Sequence, residues 1–307
     1  MGKKTLAIVG LTRCTGCLVS FLDMEENLFD VFDNFDLQYC TTLLDAKTYG
    51  KVDVCVVEGC VGNEHDVATV KEAREKSKVL VTLGSCACFG GINALRNLFT
   101  TEAVLHRSYV QSETTVRGVV PTDVPQLMKE VKPVTAYVSV DYQIPGCPPV
   151  PDMIRSGLED VLKGRPLQEP TKNLCSECHR RHDRMLIPQR ELLSFELLNP
   201  FEVDDLDDDL CFLEQGVVCL GPATKAGCGG RCLSVDMPCR GCMGPPRNQH
   251  DHGCTTVNAL ASMLPIGLLA EQEDLMGLAY RFSLGYSTIT AAADGQAKRK
   301  EEEDARK

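Results

Sequence analysis

Continuous apolar runs and stretches of helical spacing alternate through the first half of the chain. Residues 4–10 (KTLAIVG) are rich in β-formers and read as a buried strand. From residue 18 to 29 the apolar positions fall at helical spacing. Residues 52–57 (VDVCVV) predict a second buried strand, 66–76 a helix, 79–83 a third strand and 135–140 a further one. Residues 151–163 predict a helix, with Pro151 in its first turn and Gly164 just past its end. Strands alternating with helices imply an α/β fold built on a doubly wound parallel sheet. The pattern breaks at residues 165–173, which hold two prolines and no periodicity. We therefore expect one domain over 1–164 and a second, strand-poor and mostly irregular or helical, over 165–295. A charged tail over 296–307 (QAKRKEEEDARK) reads as frayed.

The residues just after each strand add chemistry to this outline. Cys14 and Cys17 come after the first strand, Cys86 after the third and Cys147 after the last. Ligands of doubly wound sheets bind beyond the carboxyl ends of the strands, so these four thiols should gather at one sheet edge as a metal cluster site. Cys88 is a rival to Cys86, and Cys60 is another nearby thiol; both read as structural neighbours. Cys55 lies within a strand and reads as core, while Cys40 and Cys254 have no assigned partner. Glu58 closes the second strand beside this site. It suits either a proton relay or a hydrogen-bonded carboxylate capping a loop.

The second half concentrates the remaining ligands. Cys175, Cys178, Cys211, Cys219, Cys228, Cys232, Cys239 and Cys242 lie in one stretch bracketed by two C-x-x-C pairs. Eight thiolates suit two four-iron clusters. The simplest division joins Cys175 and Cys178 with Cys211 and Cys219, and Cys239 and Cys242 with Cys228 and Cys232. A swap such as Cys219 for Cys228 stays open. His179, His182, His250 and His252 could substitute for thiolates, but with cysteines sufficient they read as polar surface residues. Arg180, Arg181 and Arg184 form a basic patch that is either solvated charge or a dock for an acidic redox partner. Five acidic residues within 204–209 read as a solvated loop.

Composition narrows the classes further. Seventeen cysteines in 307 residues far exceed ordinary usage. The odd count and the short apolar start of the chain argue against disulfides and a secretory signal. Uneven ligand gaps argue against structural zinc, which leaves iron–sulfur clusters. A net charge of −11 without a basic cluster argues against nucleic acid. Residues 260–270 are too short to cross a bilayer and contain Pro265. We expect a soluble protein of the cytoplasm. Neither a G-x-G-x-x-G nor a P-loop occurs, so nucleotide binding is not supported.

Several separated motifs carry a resemblance: Cys14-Thr15-Gly16-Cys17, Val57-Glu58-Gly59, Gly84-Ser85-Cys86, Phe89-Gly90-Gly91, Pro145-Gly146-Cys147-Pro148-Pro149, Cys219-Leu220-Gly221-Pro222-Ala223-Thr224 and Pro238-Cys239-Arg240-Gly241-Cys242. In this order, over roughly residues 4–285, the chain resembles the small, electron-transferring subunit of NiFe hydrogenases. The resemblance implies a flavodoxin-like first domain with a proximal cluster on Cys14, Cys17, Cys86 and Cys147. Cys178, Cys211 and Cys219 match distal-cluster positions; Cys228, Cys239 and Cys242 match medial ones. Cys175 stands where many members have histidine, and Cys232 offers a fourth ligand where many hold a three-iron cluster. Three 4Fe–4S clusters are therefore expected. Arg13 stands where many members have Glu in a proton path. The all-cysteine ligation is most similar to the cytoplasmic methyl-viologen-reducing hydrogenase of methanogens. That similarity implies a catalytic large subunit as partner, then an iron–sulfur acceptor subunit and heterodisulfide reductase. The alternatives are a deazaflavin-reducing hydrogenase small subunit and a quinone-reductase-type iron–sulfur subunit not coupled to hydrogen. A zinc-binding interaction protein is the non-redox rival.

Overall fold

In the computed structural model, which describes residues 2–116, 118–180, 206–249, 251–264, 269 and 274–288, the first apolar run forms strand β1 (Lys4–Gly10). Helices α1 (Gly16–Leu22) and α2 (Asn27–Asn34) follow, then strands β2 (Phe35–Cys40), β3 (Val52–Glu58) and β4 (Val61–Asn63). Helix α3 (Glu64–Lys76), strand β5 (Ser77–Leu83) and helices α4 (Gly84–Phe89) and α5 (Thr101–Tyr109) come next. Strands β6 (Leu127–Lys132) and β7 (Tyr142–Ile144) and helix α6 (Pro151–Lys163) complete the sheet half. The cysteine-rich half holds, among the described residues, several 3-10 turns and helices α7 (His252–Met263) and α8 (Leu275–Tyr280).

The sheet runs β2-β1-β3-β5-β7, all parallel. This is the flavodoxin-like order, with its switch point between β1 and β3. Successive strand residues point to opposite faces, and both faces here are covered. Leu6 and Ile8 pack with Phe21, Ile154 and Leu158 of α1 and α6. Ala7, Val9 and Val57 pack with Val70 and Ala73 of α3. Two-sided burial is why β1, β3 and β5 read as unbroken apolar runs. The β4–β6 pair is a separate antiparallel ribbon. Leu174, Phe212, Leu220, Leu233 and Leu260 form the core of the cysteine-rich half.

Three elements differ from the sequence expectation. The helical pattern over 18–29 divides into α1 and α2, with Glu25 in a left-handed conformation (φ 53°) between them. The strand expected at 135–140 begins only at Tyr142, because the Asp141 carboxylate accepts the Leu80 N–H (2.7 Å) where a paired strand carbonyl would sit. Val134, Tyr137, Val138 and Val140 instead pack beneath the sheet. Strand β2 carries an alternating FDLQY signal too short to stand out beside the longer apolar runs. Among the described residues no helix is long and apolar enough to cross a membrane. The expected tail at 296–307, most of the 260–270 run beyond residue 264, and Asp204 and Asp205 lie outside the described residues.

Candidate metal centres

The β1–α1 turn begins the first site. Cys14 and Cys17 flank the start of α1, Cys86 lies in α4 directly after β5, and Cys147 follows β7. Burial drives the Cys17 thiol pKa well above its ordinary value, with Glu58 and then Cys86, Cys147 and Cys14 adding to the rise. Burial likewise pushes Cys86 up to about 12, helped by Cys60, Cys147 and Cys14. Cys147 is raised by burial and by Cys14. Cys17, Cys86 and Cys147 thus each feel the charge of Cys14 at the sheet edge, where Cys14 and Cys147 are exposed to solvent. Glycine makes the space they occupy. A β-carbon at Gly84 (φ 87°) would run into Cys17 Sγ, and one at Gly91 (φ 62°) into Cys86 Sγ.

Neighbouring groups sort out clearly. Cys88 turns into the sheet core, where its sulfur lies 3.4 Å from Thr82 Oγ1. Cys60 is fully buried next to Cys86 and receives a hydrogen bond from Asn93 Nδ2 at 3.5 Å. Cys55 and Cys40 are core residues, while Cys254 is exposed. Glu58 ends β3 at 1% exposure and is ion-paired with Arg13, the residue before Cys14. Its second oxygen accepts the Leu18 N–H at 3.2 Å. The carboxylate thus grips the Cys14–Cys17 loop from both sides, a geometry that favours the loop-holding role of the two open to it.

In the cysteine-rich half, Cys175, Cys178, Cys211 and Cys219 line one cavity of about 240 Å³. Burial, then Cys219, Cys211 and Cys178, raises Cys175 to about 12. Cys219 therefore sits with the Cys175–Cys178 pair in the folded chain. Cys228, Cys232, Cys239 and Cys242 remain; burial raises the Cys239 thiol too, and its strongest thiol neighbour there is Cys219, ahead of Cys242. Burial raises Cys242 to about 12, with Cys228, Cys147 and Cys232 contributing. Glu177 ties the two sets together by accepting the N–H groups of Gly227 (2.8 Å) and Gly229 (2.9 Å), on either side of Cys228.

The three sets adjoin in series. Ser85 Oγ donates to the Cys242 carbonyl at 2.5 Å and accepts the Gly146 N–H at 3.3 Å, so one hydroxyl joins both neighbours of the first site to the second. Cys239 N–H donates to Cys219 Sγ at 3.3 Å, joining the second set to the third. Buried thiolates are costly without a nearby cation, and four thiols facing one cavity are the donor set of an iron–sulfur cluster. Among the described residues, no three His, Cys, Asp or Glu side chains stand close enough to hold a single metal ion. All seventeen cysteines are outside disulfides.

Two side chains expected at the surface are buried. His252 is 2% exposed, and burial lowers its pKa to about 4. Its ring packs against Gly241, inside the Cys239–Cys242 loop. Arg180 is 3% exposed and so does not belong to a basic patch. His179 is exposed as expected. His182, His250, Arg181 and Arg184 lie outside the described residues. The acidic residues Asp207 to Asp209 are exposed.

Comparison with known proteins agrees with this geometry. The family described as NADH ubiquinone oxidoreductase, 20 Kd subunit, matches residues 14–161. The chain is 36% identical over 301 residues to a subunit of the F420-non-reducing hydrogenase of Methanothermobacter marburgensis, covering 94% of this chain and 96% of the relative. It is 37% identical over 290 residues to the corresponding vhu subunit of the F420-non-reducing hydrogenase of Methanocaldococcus jannaschii, covering 94% and 97%. A chain in the crystal structure of an NAD+-reducing NiFe hydrogenase in the H2-reduced state superposes with a TM-score of 0.53 at 33% identity, covering 55% of this chain and 96% of that one.

Proposed function

Because the chain belongs to the family of F420-non-reducing hydrogenase small subunits, we propose that it relays electrons within such an enzyme through three 4Fe–4S clusters. The proximal cluster is held by Cys14, Cys17, Cys86 and Cys147. The medial one is held by Cys228, Cys232, Cys239 and Cys242, and the distal one by Cys175, Cys178, Cys211 and Cys219. The observation that carries the reading is the pair of hydrogen bonds that joins Ser85, beside Cys86, to Cys242 and Cys239 to Cys219. Each cluster supplies a one-electron carrier when bound. The chain's own residues orient the thiols, bury Cys219 and Cys239 and hold neighbouring loops together.

The nickel–iron chemistry belongs to a large subunit, and the open Cys14/Cys147 edge is where that subunit docks. Electrons leave from the distal end to an iron–sulfur acceptor subunit and then heterodisulfide reductase, in the cytoplasm. A quinone-reductase-type subunit not coupled to hydrogen is the rival, since the 20 Kd subunit family matches residues 14–161. Eight further cysteines in residues 175–242, beyond that span, favour the hydrogenase reading.

The test is metal analysis of the complex isolated anaerobically through this chain, combined with Cys14→Ser. About twelve iron atoms per chain above those of the partners, with nickel, and loss of hydrogen-dependent dye reduction in the variant are expected. Iron without nickel would put the quinone-reductase reading first, and zinc in place of iron would remove the redox reading. Unchanged activity in Cys14→Ser would sink the proximal assignment. Recovery of the acceptor subunit and heterodisulfide reductase in the same complex tests the exit route.

A further inference from the structure

Arg180 follows Cys178 by two residues and lines the cavity of the third thiol set. Its guanidinium carbon lies 3.9 Å from the centroid of the Phe212 ring, which lines the same cavity. Nη1 donates to the carbonyls of Asp207 (2.8 Å) and Leu210 (2.9 Å), and Nη2 donates to Asp236 Oδ1 (2.7 Å). Leu210 immediately precedes Cys211, and Asp236 lies between Cys232 and Cys239. A single buried cation thus pins the loops that present ligands of two sets. One donor is left over. Arg180 Nε is buried and has no hydrogen-bond partner among the described residues.

A buried N–H of a charged group is expensive to leave unmade. Arg180 lines the thiol cavity, so a cluster held there would bring acceptors beside it. Cluster sulfurs are acceptors, and hydrogen bonds to them are one of the levers that set a cluster's potential. Reduction adds one negative charge to the cluster, and a fixed cation beside it stabilises the reduced form.

Resting on the reading of Cys175, Cys178, Cys211 and Cys219 as distal ligands, we propose that Arg180 tunes the distal cluster, donating Nε–H to a ligand or bridging sulfur and raising the cluster's potential by its fixed charge. One electron enters the cluster from its medial neighbour and one leaves to the acceptor; no proton is exchanged. Arg180 thereby draws electrons outward to the exit. Glu214 lines the same cavity and opposes this charge, but it is common to wild type and variant, so the comparison isolates Arg180.

The experiment is a potentiometric titration of the intact complex followed by electron paramagnetic resonance, in wild type, Arg180→Gln and Arg180→Lys. In Arg180→Gln the reduced-to-oxidised ratio of the distal cluster at a fixed potential falls about tenfold, about 59 mV for a one-electron couple. Arg180→Lys keeps the charge and falls between the two, while the other clusters hold their potentials. A second measurement needs no substitution. In wild type grown with arginine isotope-labelled only in the guanidinium, pulsed resonance detects nitrogen coupled to the reduced distal cluster. A full iron content with an unshifted distal potential in Arg180→Gln overturns the proposal. So does the absence of that coupling in wild type, should the variants fail to assemble. Wild-type iron near eight atoms rather than about twelve, with no distal signal, removes the distal site itself and the proposal with it.

Discussion

Glu58 shows how one side chain can organise a metal loop. It is 1% exposed and its partner Arg13 is 17% exposed, so removing the carboxylate leaves a poorly solvated cation. Glu58→Ala should cost about 3 kcal/mol, measured as a lower denaturation midpoint, while Glu58→Gln keeps an acceptor for Leu18 N–H and costs less. A proton relay predicts something different. Glu58→Gln would then slow hydrogen–deuterium exchange by the complex at unchanged stability. His252 belongs to the same scale. Its folded pKa of about 4 lies below the ordinary 6.5 because the ring is buried. Between those values the unfolded chain binds more protons than the folded one. The stability of the neutral ring is therefore complete above pH 6.5 and is lost as pH falls toward 4. His252→Gln should flatten the fall in thermal midpoint across that window. The paired cysteines stand out in the sequence because the C-x-x-C spacing is local. The burial of Arg180 and His252 does not, since it depends on loops dozens of residues away.

At the level of elements, the cluster loop and helix α3 share their anchors. Asn63 caps α3 by accepting the Asp66 N–H, and Asp66 in turn accepts from Thr12 Oγ1 (2.6 Å) and Gly62 N–H (2.9 Å). Asn63→Ala should cost about 1 kcal/mol, read by chemical denaturation. Gly84 and Gly91 pass the chain around Cys17 and Cys86 with positive φ. Alanine at either position is predicted to displace a thiol and lose about four iron atoms per chain, counted by metal analysis, with the other clusters' resonance signals intact. The main strands could be read from sequence because two-sided burial leaves almost no polar position in them. The edges were harder. Strand β2 alternates because Asp36 and Gln38 face outward or sideways, and β7 has only three paired residues. A three-residue strand carries too little pattern to place.

For the whole molecule, the order of the thiol sets matters more than the shape of either half. Spacing proposes their membership but says nothing of their adjacency, because Ser85 and Cys242 are 157 residues apart. Ser85→Ala removes the hydroxyl bridging the first two sets. Hydrogen-dependent dye reduction should fall while iron content holds, and an unchanged rate would show that the hydroxyl does not support transfer. Cys219 and Cys239 are buried, whereas Cys14 and Cys147 stand open at the sheet edge. This contrast gives iron loss an order. Cys219 and Cys239 are shielded by the chain's own folding, whereas Cys14, Cys147 and Cys232 stay open to solvent. Oxygen and chelators reach the open thiols first, so iron bound there should be the first lost when the isolated chain is exposed to them.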